Sequence, residues 1–471
     1  MWKYVDLTLG LVAISLLYRL SKRRKRLNLP LPPGPKGAPL VGNLLQMPTE
    51  FEWKKYHEWC KEYNTDVLYL NIAGTELIVL DTSQAATDLL ETRSSLYSGR
   101  TRLPMINELM GWDFNIGFMP YGALYDSSYG TELRAHAYFA GCSGLPWRKH
   151  RRLLHHSFHP LAAMQYRPHI MKATLNLLKR FLDDPNPLKI IPHLRHMAGE
   201  TILSIAYGIE IQQKNDPYLE TSEAGVLPLV VAGVPGAFLV DSIPLLKYVP
   251  AWFPGASFQR KAREWRKLSR TMIEMPYAEA KKDIESGKAN VSLVSTNLQK
   301  IQGGTEDEAF TEEIVKNVAG TLFAAGSDTT VSAITSCILG LLEHPEVLKK
   351  AQAQIDAVVK PGHLPGFEDE PSLPYVTAIA KETLRWRDVV PIAVWLAIAS
   401  LVATFDIEKA KEKVTVVGKD GIEREEEKTV ELTHEYISAL VITPKPFKCA
   451  IKPRSKEKAD LIRATLIQDY D

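Results

Sequence analysis

The sequence predicts a mainly helical fold with a small β portion. Apolar residues recur at helical spacing over most of the 471 residues, while strand-like alternation is confined to a short stretch near residue 70 and to the tail. Hydrophobic residues make up 45% and charged residues 24%, so a large core is available and disorder is not the default state.

The helical segments follow in order. Glu50 to Tyr63 and Ser83 to Glu91 are amphipathic and flank two strand patterns, Leu68-Tyr69-Leu70 and Glu76-Leu77-Ile78-Val79-Leu80. Further helices are predicted over 147–156, 162–182, 190–207, 262–286, 312–342, 345–359 and 375–385. The apolar segment Gly225 to Pro254 is broken by five prolines and reads as a buried connection or a lipid-touching surface. In the tail, Tyr436 to Thr443 and Phe447 to Ile451 read as a hairpin around Pro444-Lys445-Pro446. The charged run Lys409 to Glu431 reads as a solvated helix end and loop.

Charge and cysteine usage exclude several classes. The formal net charge is +2, without the basic footprint of a nucleic-acid binder. Cys60, Cys142, Cys337 and Cys449 form no CxxC pair, which argues against a disulfide framework or a zinc site. At the N-terminus, Val5 to Tyr18 is apolar and the basic run Lys22 to Arg26 follows it. A cleaved signal peptide has the reverse order, so residues 1–27 read as an uncleaved anchor with the remaining chain on the cytoplasmic side, a shallow interfacial helix being the alternative. The stretch 28–48 contains Pro30-Leu31-Pro32-Pro33-Gly34-Pro35 and reads as a stiff non-helical hinge before a domain spanning 49–471.

Two constellations carry chemistry. The helix over 312–342 contains Ala324-Ala325-Gly326-Ser327-Asp328-Thr329-Thr330. A mid-helix Gly costs about 1 kcal/mol relative to Ala, and burying an acid beside hydroxyls adds to that. Hydroxyls bonded back to the backbone open a groove in such a helix; a kink with a solvated Asp is the other reading. Downstream, Glu382 and Arg385 are three apart and share a helix face, a spacing common on solvated helices. The histidines His150, His155, His156 and His159 include an i,i+4 pair, but no acid or cysteine joins them and no metal site is predicted there.

Taken together in order, these segments resemble the cytochrome P-450 family, in particular its membrane-bound fungal members. Pro32 to Leu44 is similar to the family's proline-rich hinge. Trp147-Arg148-Lys149-His150-Arg151 is similar to its WxxxR signature, AAGSDTT to its oxygen-activation motif, and KETLRW to its ExxR helix. The resemblance implies a haem-dependent monooxygenase that oxidises an apolar small molecule with dioxygen. It implies haem b as cofactor and an NADPH-cytochrome reductase as partner. The implied location is the endoplasmic reticulum membrane, with a single N-terminal anchor and the domain facing the cytoplasm. Trp147 and Arg151 would contact haem propionates, Asp328 and Thr329 would deliver protons, and Ala325 and Gly326 would line the haem. Glu382 and Arg385 would form a structural pair, and substrate contacts would come from Leu103 to Phe118 and from Ala324 and Ala325.

The sequence departs from the family pattern twice. The ligand loop FxxGxRxCxG is found at none of the four cysteines, and the strand pair and meander that lead to it are missing as well. Pro391-Ile392-Ala393 runs straight into Val394-Trp395-Leu396, which resembles the helix after the ligand cysteine, so a deletion is placed near 391–395 and the fold is expected to be truncated on the proximal haem side. Conversely, Ala123 to Pro146 is an atypical insertion of 24 residues (123–146) between MPYG and WRKHR. The alternative function is therefore a catalytically dead, membrane-tethered remnant or a mis-assembled gene model without the haem thiolate. Loss of the loop's Arg is expected to cost about 3–5 kcal/mol at a buried Glu382–Arg385 network, giving a chain that folds poorly and does not hydroxylate. Sequencing the cDNA across codons 119–150 and 388–400 should show transcripts that lack the insertion and carry the missing block; transcripts continuous with this protein would exclude a gene-model error.

Overall fold

The computed structural model describes residues 30–39, 41–48, 50–120, 146–234, 236–304, 310–386, 391–417, 423–433, 435–437 and 442–465. The chain divides into two compact units, residues 1–99 with 235–249 and residues 100–234 with 250–471.

In the first unit, helix α1 (Glu52–Glu62) lays Tyr56, Trp59 and Cys60 on Leu68 and Leu70 of strand β1 (Val67–Ile72). Strand β2 (Thr75–Leu80) pairs antiparallel with β1 through a two-residue turn, Ala73-Gly74, both at positive φ. Residues 30–37 carry no helix, as their prolines require, but they are not a free spacer. Tyr69 N–H donates to the Pro33 carbonyl at 2.9 Å, and a Cβ on Gly34 would lie 2.1 Å from the Tyr69 oxygen. Only glycine lets the hinge lie this close to β1. Asn43 completes the seam by donating to the Pro35 carbonyl and accepting from Asn71 N–H.

The second unit is helical: α2 (Pro146–Phe158), α3 (Arg167–Asp183), α4 (Ile190–Tyr207), α5 (Pro217–Ala232), α6 (Ser257–Glu285) and α7 (Leu293–Gln302) precede the 32-residue α8 (Glu312–Glu343). Then come α9 (Pro345–Val358), α10 (Pro374–Trp386) and α11 (Pro391–Thr404). Helix α8 is the axis of the unit. Its side chains are buried on every face, and α4, α6, α10 and α11 all pack on it. The segment 225–254 splits: Gly225, Val226 and Leu229 of α5 are buried, whereas Leu239, Leu245, Tyr248 and Trp252 beyond it are exposed.

The expectation of a single N-terminal anchor, and the location built on it, is corrected. Among the described residues one helix is long and apolar enough to cross a membrane, and it is α8 in mid-chain, not a segment near the N-terminus. Most of its apolar stretch is buried in protein, the other way to satisfy a helix that is apolar all round. Residues 1–27, to which the anchor was assigned, lie outside the described residues.

The tail also differs from expectation. Strand β3 (Phe405–Lys409) pairs antiparallel with β8 (Cys449–Pro453), and β6 (Tyr436–Ile437) pairs with β7 (Thr443–Pro444), so the segment after Pro446 joins a distant partner instead of its neighbour. The charged run forms strands β4 (Lys411–Val417) and β5 (Glu423–Thr429), an antiparallel pair with Lys413–Glu425 bridged at 3.0 Å. Polar residues on both faces erase the alternation by which a strand is recognised. Helix α12 (Lys456–Thr465) follows, and Arg454 ties the tail to Asp356 and to the Ala403 carbonyl.

Phe405, with no exposed surface, packs edge-on against Phe181 and joins β3 to the helical core. Phe405→Ala should lower unfolding free energy by about 3–5 kcal/mol in denaturant titration; a loss below about 1 kcal/mol would mean that the β3–β8 pair is not seated on that core.

Candidate functional site

The stretch 324–330 lies in the middle of α8, which stays helical from Glu312 to Glu343, so the groove expected from a local opening does not form. The hydroxyls are absorbed by the helix itself. Ser327 Oγ donates to the Phe323 carbonyl at 2.6 Å and Thr329 Oγ1 to the Ala325 carbonyl at 2.8 Å. Gly326 faces Ile202 of α4, whose side chain a Cβ would meet at 3.2 Å, and Ala325 is exposed.

Around Asp328 the helices bring together side chains that sequence reasoning did not single out. Arg195 Nε of α4 lies 3.7 Å from Asp328 Oδ1, and Arg195 Nη1 lies 3.8 Å from Glu223 Oε1 of α5. Ser222 and Ser327 share a hydrogen bond at 2.9 Å. With Gly199, Leu219 and Val226 these residues line a shallow cleft of about 300 Å³. Gly199 sets its width, since a Cβ there would overlap the Leu219 side chain. Burial pushes the Asp328 carboxyl above the ordinary carboxylate range, and the Arg195 guanidinium pulls it part of the way back. The available signal was Arg195, Gly199 and Ile202 at i, i+4, i+7 in an apolar helix, which puts a cation on one face. Its partners belong to other helices and leave no local mark.

Trp147 and Arg151 stand elsewhere. On α2, Trp147 is half-buried and Arg151 is exposed. The buried member of that motif is His150. Its Nδ1 lies 2.7 Å from the Pro146 carbonyl, so that nitrogen carries the hydrogen, and Nε2 faces Asn317 Nδ2 of α8 at 3.4 Å. Burial lowers the His150 pKa and keeps the ring neutral. Asn317 precedes Asp328 by some three turns, about 16 Å of helix, so α2 meets α8 well before the acidic cleft. His155 and His156 are exposed, and His159 Nδ1 accepts from Ala162 N–H.

Glu382 and Arg385 do form a pair, with two hydrogen bonds of 2.7 Å. It is exposed, not buried: 54% of the Glu382 and 68% of the Arg385 side chain face solvent. The expected cost of an incomplete buried network therefore falls away. What α10 buries is Thr383, Val376 and Ala380, and Thr377 accepts from the Trp395 indole N–H of α11 at 3.0 Å.

These residues do not fit haem–thiolate ligation. Iron takes a thiolate, which needs a lowered thiol pKa and access. Cys337, in the core between α8 and α11, is pushed up to about 11 by burial, and Cys449, on β8, to about 12. Cys60 is raised for the same reason, and Cys142 lies outside the described residues. Among the described residues no three His, Cys, Asp or Glu side chains form a metal-binding group. Between α8 and α11 lies an apolar gap of about 180 Å³ lined by Ile334, Cys337, Leu341, Ile398 and Val402.

Comparison with known proteins gives a consistent picture. The family model described as cytochrome P-450 matches residues 128–397. Cytochrome P-450 monooxygenase 98 of Postia placenta is 39% identical over 388 residues, 82% of this chain and 69% of the relative. The tryptamine 4-monooxygenase of Psilocybe cyanescens is 38% identical, over 83% of this chain and 72% of the relative. A cytochrome P-450 monooxygenase of Rhodocybe pseudopiperita is 32% identical over 534 aligned positions, 96% of this chain and 95% of the relative. That alignment is longer than the chain's 471 residues, so the relative has residues opposite which this chain has none.

Two outcomes follow from the electrostatics. A carboxyl raised by burial stabilises the fold only below its ordinary value of 3.8 and loses that contribution as pH rises. Asp328→Asn should therefore raise the denaturant midpoint near pH 7 and leave it unchanged near pH 3, on the scale of ordinary carboxyl titration; equal shifts at both would exclude burial as the cause. Glu382→Gln should leave the midpoint unchanged at either pH, and a marked loss would restore the buried-network reading.

Proposed function

The chain belongs to the cytochrome P-450 family, and from that premise we propose that it is built to oxidise an apolar small molecule with dioxygen and electrons from an NADPH-dependent reductase. Homology to fungal monooxygenases gives it, by family resemblance, a haem-dependent oxygenase function; the family implies haem b, a redox partner and membrane association. The observation that carries the reading is the Asp328 cleft, where burial holds a carboxyl at an easily protonated poise beside Thr329 on the buried central helix. In this reading Asp328 and Thr329 hold and pass protons, Ala325 and Gly326 give α8 a smooth face, and Trp147 with Arg151 offers a charge-assisted clamp for an anion. Glu382 and Arg385 stiffen α10. The Leu103 to Phe118 stretch, with Met105, Ile106 and Trp112 wholly buried, supplies apolar contacts.

A second reading concerns this form of the chain. Its described thiols are buried and held protonated, and the alignment that spans the chain from end to end leaves residues of the relative unmatched. We infer that the segment missing between α10 and α11 is the ligand loop, and that without it the chain is a non-catalytic remnant.

The carbon monoxide difference spectrum of the reduced protein tests both. The chain as it stands should show no thiolate-type Soret shift, and the same chain with an FxxGxRxCxG loop and its flanks inserted between Val390 and Pro391 should show one. A shift from the unaltered chain sinks the remnant reading. A loop-restored chain that folds, takes up haem and shows no shift sinks the monooxygenase reading.

A further inference from the structure

One residue further round α4 from Arg195 lies a second polar cluster that the cleft does not use. His196 and Glu200 leave only 11% and 13% of their side chains exposed. His196 Nδ1 and Glu200 Oε2 face each other at 3.8 Å, and neither has a hydrogen-bond partner among the described residues. Glu200 Oε1 accepts from Asn176 Nδ2 of α3. On the far side of the ring, His196 Nε2 stands 2.8 Å from the Gln212 carbonyl and 2.9 Å from Arg180 Nη2.

Those two neighbours make opposite demands on one nitrogen. The carbonyl can only accept, so it needs a hydrogen on Nε2; the guanidinium can only donate, so it needs the Nε2 lone pair. With Nδ1–H turned to an ionised Glu200, the neutral ring accepts from Arg180 and leaves the Gln212 carbonyl without its donor. One added proton, on Nε2 or on Glu200 with the ring tautomer reversed, gives Nε2–H and satisfies Gln212.

We propose that His196, Glu200 and Arg180 form a proton-linked clamp on the connection between α4 and α5: uptake of one proton from solvent closes the bond from Nε2–H to the Gln212 carbonyl, and its loss opens that bond in favour of Arg180. The surrounding charges are accounted for. From α3, Lys172 pairs with Glu210 of the connection at 2.7 Å, and Arg180 also binds Gln213. His193 Nε2 is tied to the Asp184 carbonyl, and Asp216 is spent accepting from Gln212, Tyr218 and Leu219 N–H. Burial lowers the His196 pKa, with the Gln212 carbonyl opposing and Arg180 adding to that shift, whereas burial raises that of Glu200. The added proton is therefore the one on Glu200 with the ring tautomer reversed; a raised carboxyl adds stability at low pH and loses it as pH rises. The clamp reaches the cleft through Asp216, the N-cap of α5, the helix that carries Ser222 and Glu223.

Hydrogen exchange read by mass spectrometry on the full chain tests this, with exchange at the imidazole carbon reporting the His196 midpoint. Relative to intrinsic rates, amides of residues 208–216 should be about tenfold better protected near pH 5 than near pH 8, the scale of a local opening biased by one buried hydrogen bond. His196→Asn should abolish that pH dependence while α8 amides stay protected. Glu200→Gln should lower the His196 midpoint, and it decides the matter if His196→Asn does not fold. Protection of 208–216 that is the same at both pH values, a dependence that survives His196→Asn, or a His196 midpoint unmoved by Glu200→Gln would each overturn the clamp.

Discussion

The second unit depends on the burial of α8. A 32-residue helix that is apolar on every side must be covered on every side, and each neighbour is placed by that need. The small residues decide how near the neighbours come. Gly320 admits the Ile273 side chain of α6 and Gly326 that of Ile202 from α4, each at about 1 kcal/mol of helix propensity relative to Ala. Close approach is what presses α4 and α5 around Asp328, so the packing of the core and the electrostatics of the cleft have one cause.

The same requirement accounts for the seating of α11. Helix α11 buries Val394, Leu396 and Ala397 completely and anchors Trp395 to Thr377 of α10. Its apolar surface finds α8 directly, and Cys337 is enclosed between them as a small hydrophobe whose thiol stays protonated. Among the described residues the cysteines are all buried, and none offers an accessible sulfur. The hydrophobic core of the unit is thus continuous through α8 and α11 without any metal-binding group among the described residues.

Much of this was legible in the sequence because helices advertise themselves locally. The periodic stretches at 190–207, 312–342 and 345–359 match α4, α8 and α9 to within a residue or so, and the Leu68 to Leu80 strands match β1 and β2. The misreadings share a physical origin in distance. That β3 pairs with β8 some forty residues on, or that Arg195 meets Asp328, depends on partners no local pattern names. The exposure of Glu382 and Arg385 depends on what covers α10, which spacing cannot reveal. Asp328 was found because an acid inside an apolar helix is conspicuous, and the acid's counter-cation was not, because it sits in a helix of its own.

The charged hairpin of β4 and β5 has a bearing on how the protein behaves in a crowded solution. Two strands whose outer edges pair with no further strand among the described residues are a template for pairing with another molecule. Here Lys411, Glu412, Lys413, Glu425 and Glu427 are exposed along those strands, and the Lys411–Glu427 and Lys413–Glu425 bridges satisfy charge within the pair. An incoming strand would have to strip water from that row of ions before forming its first backbone bond. The charges thus guard the edges of the hairpin in the way that edge strands are commonly protected.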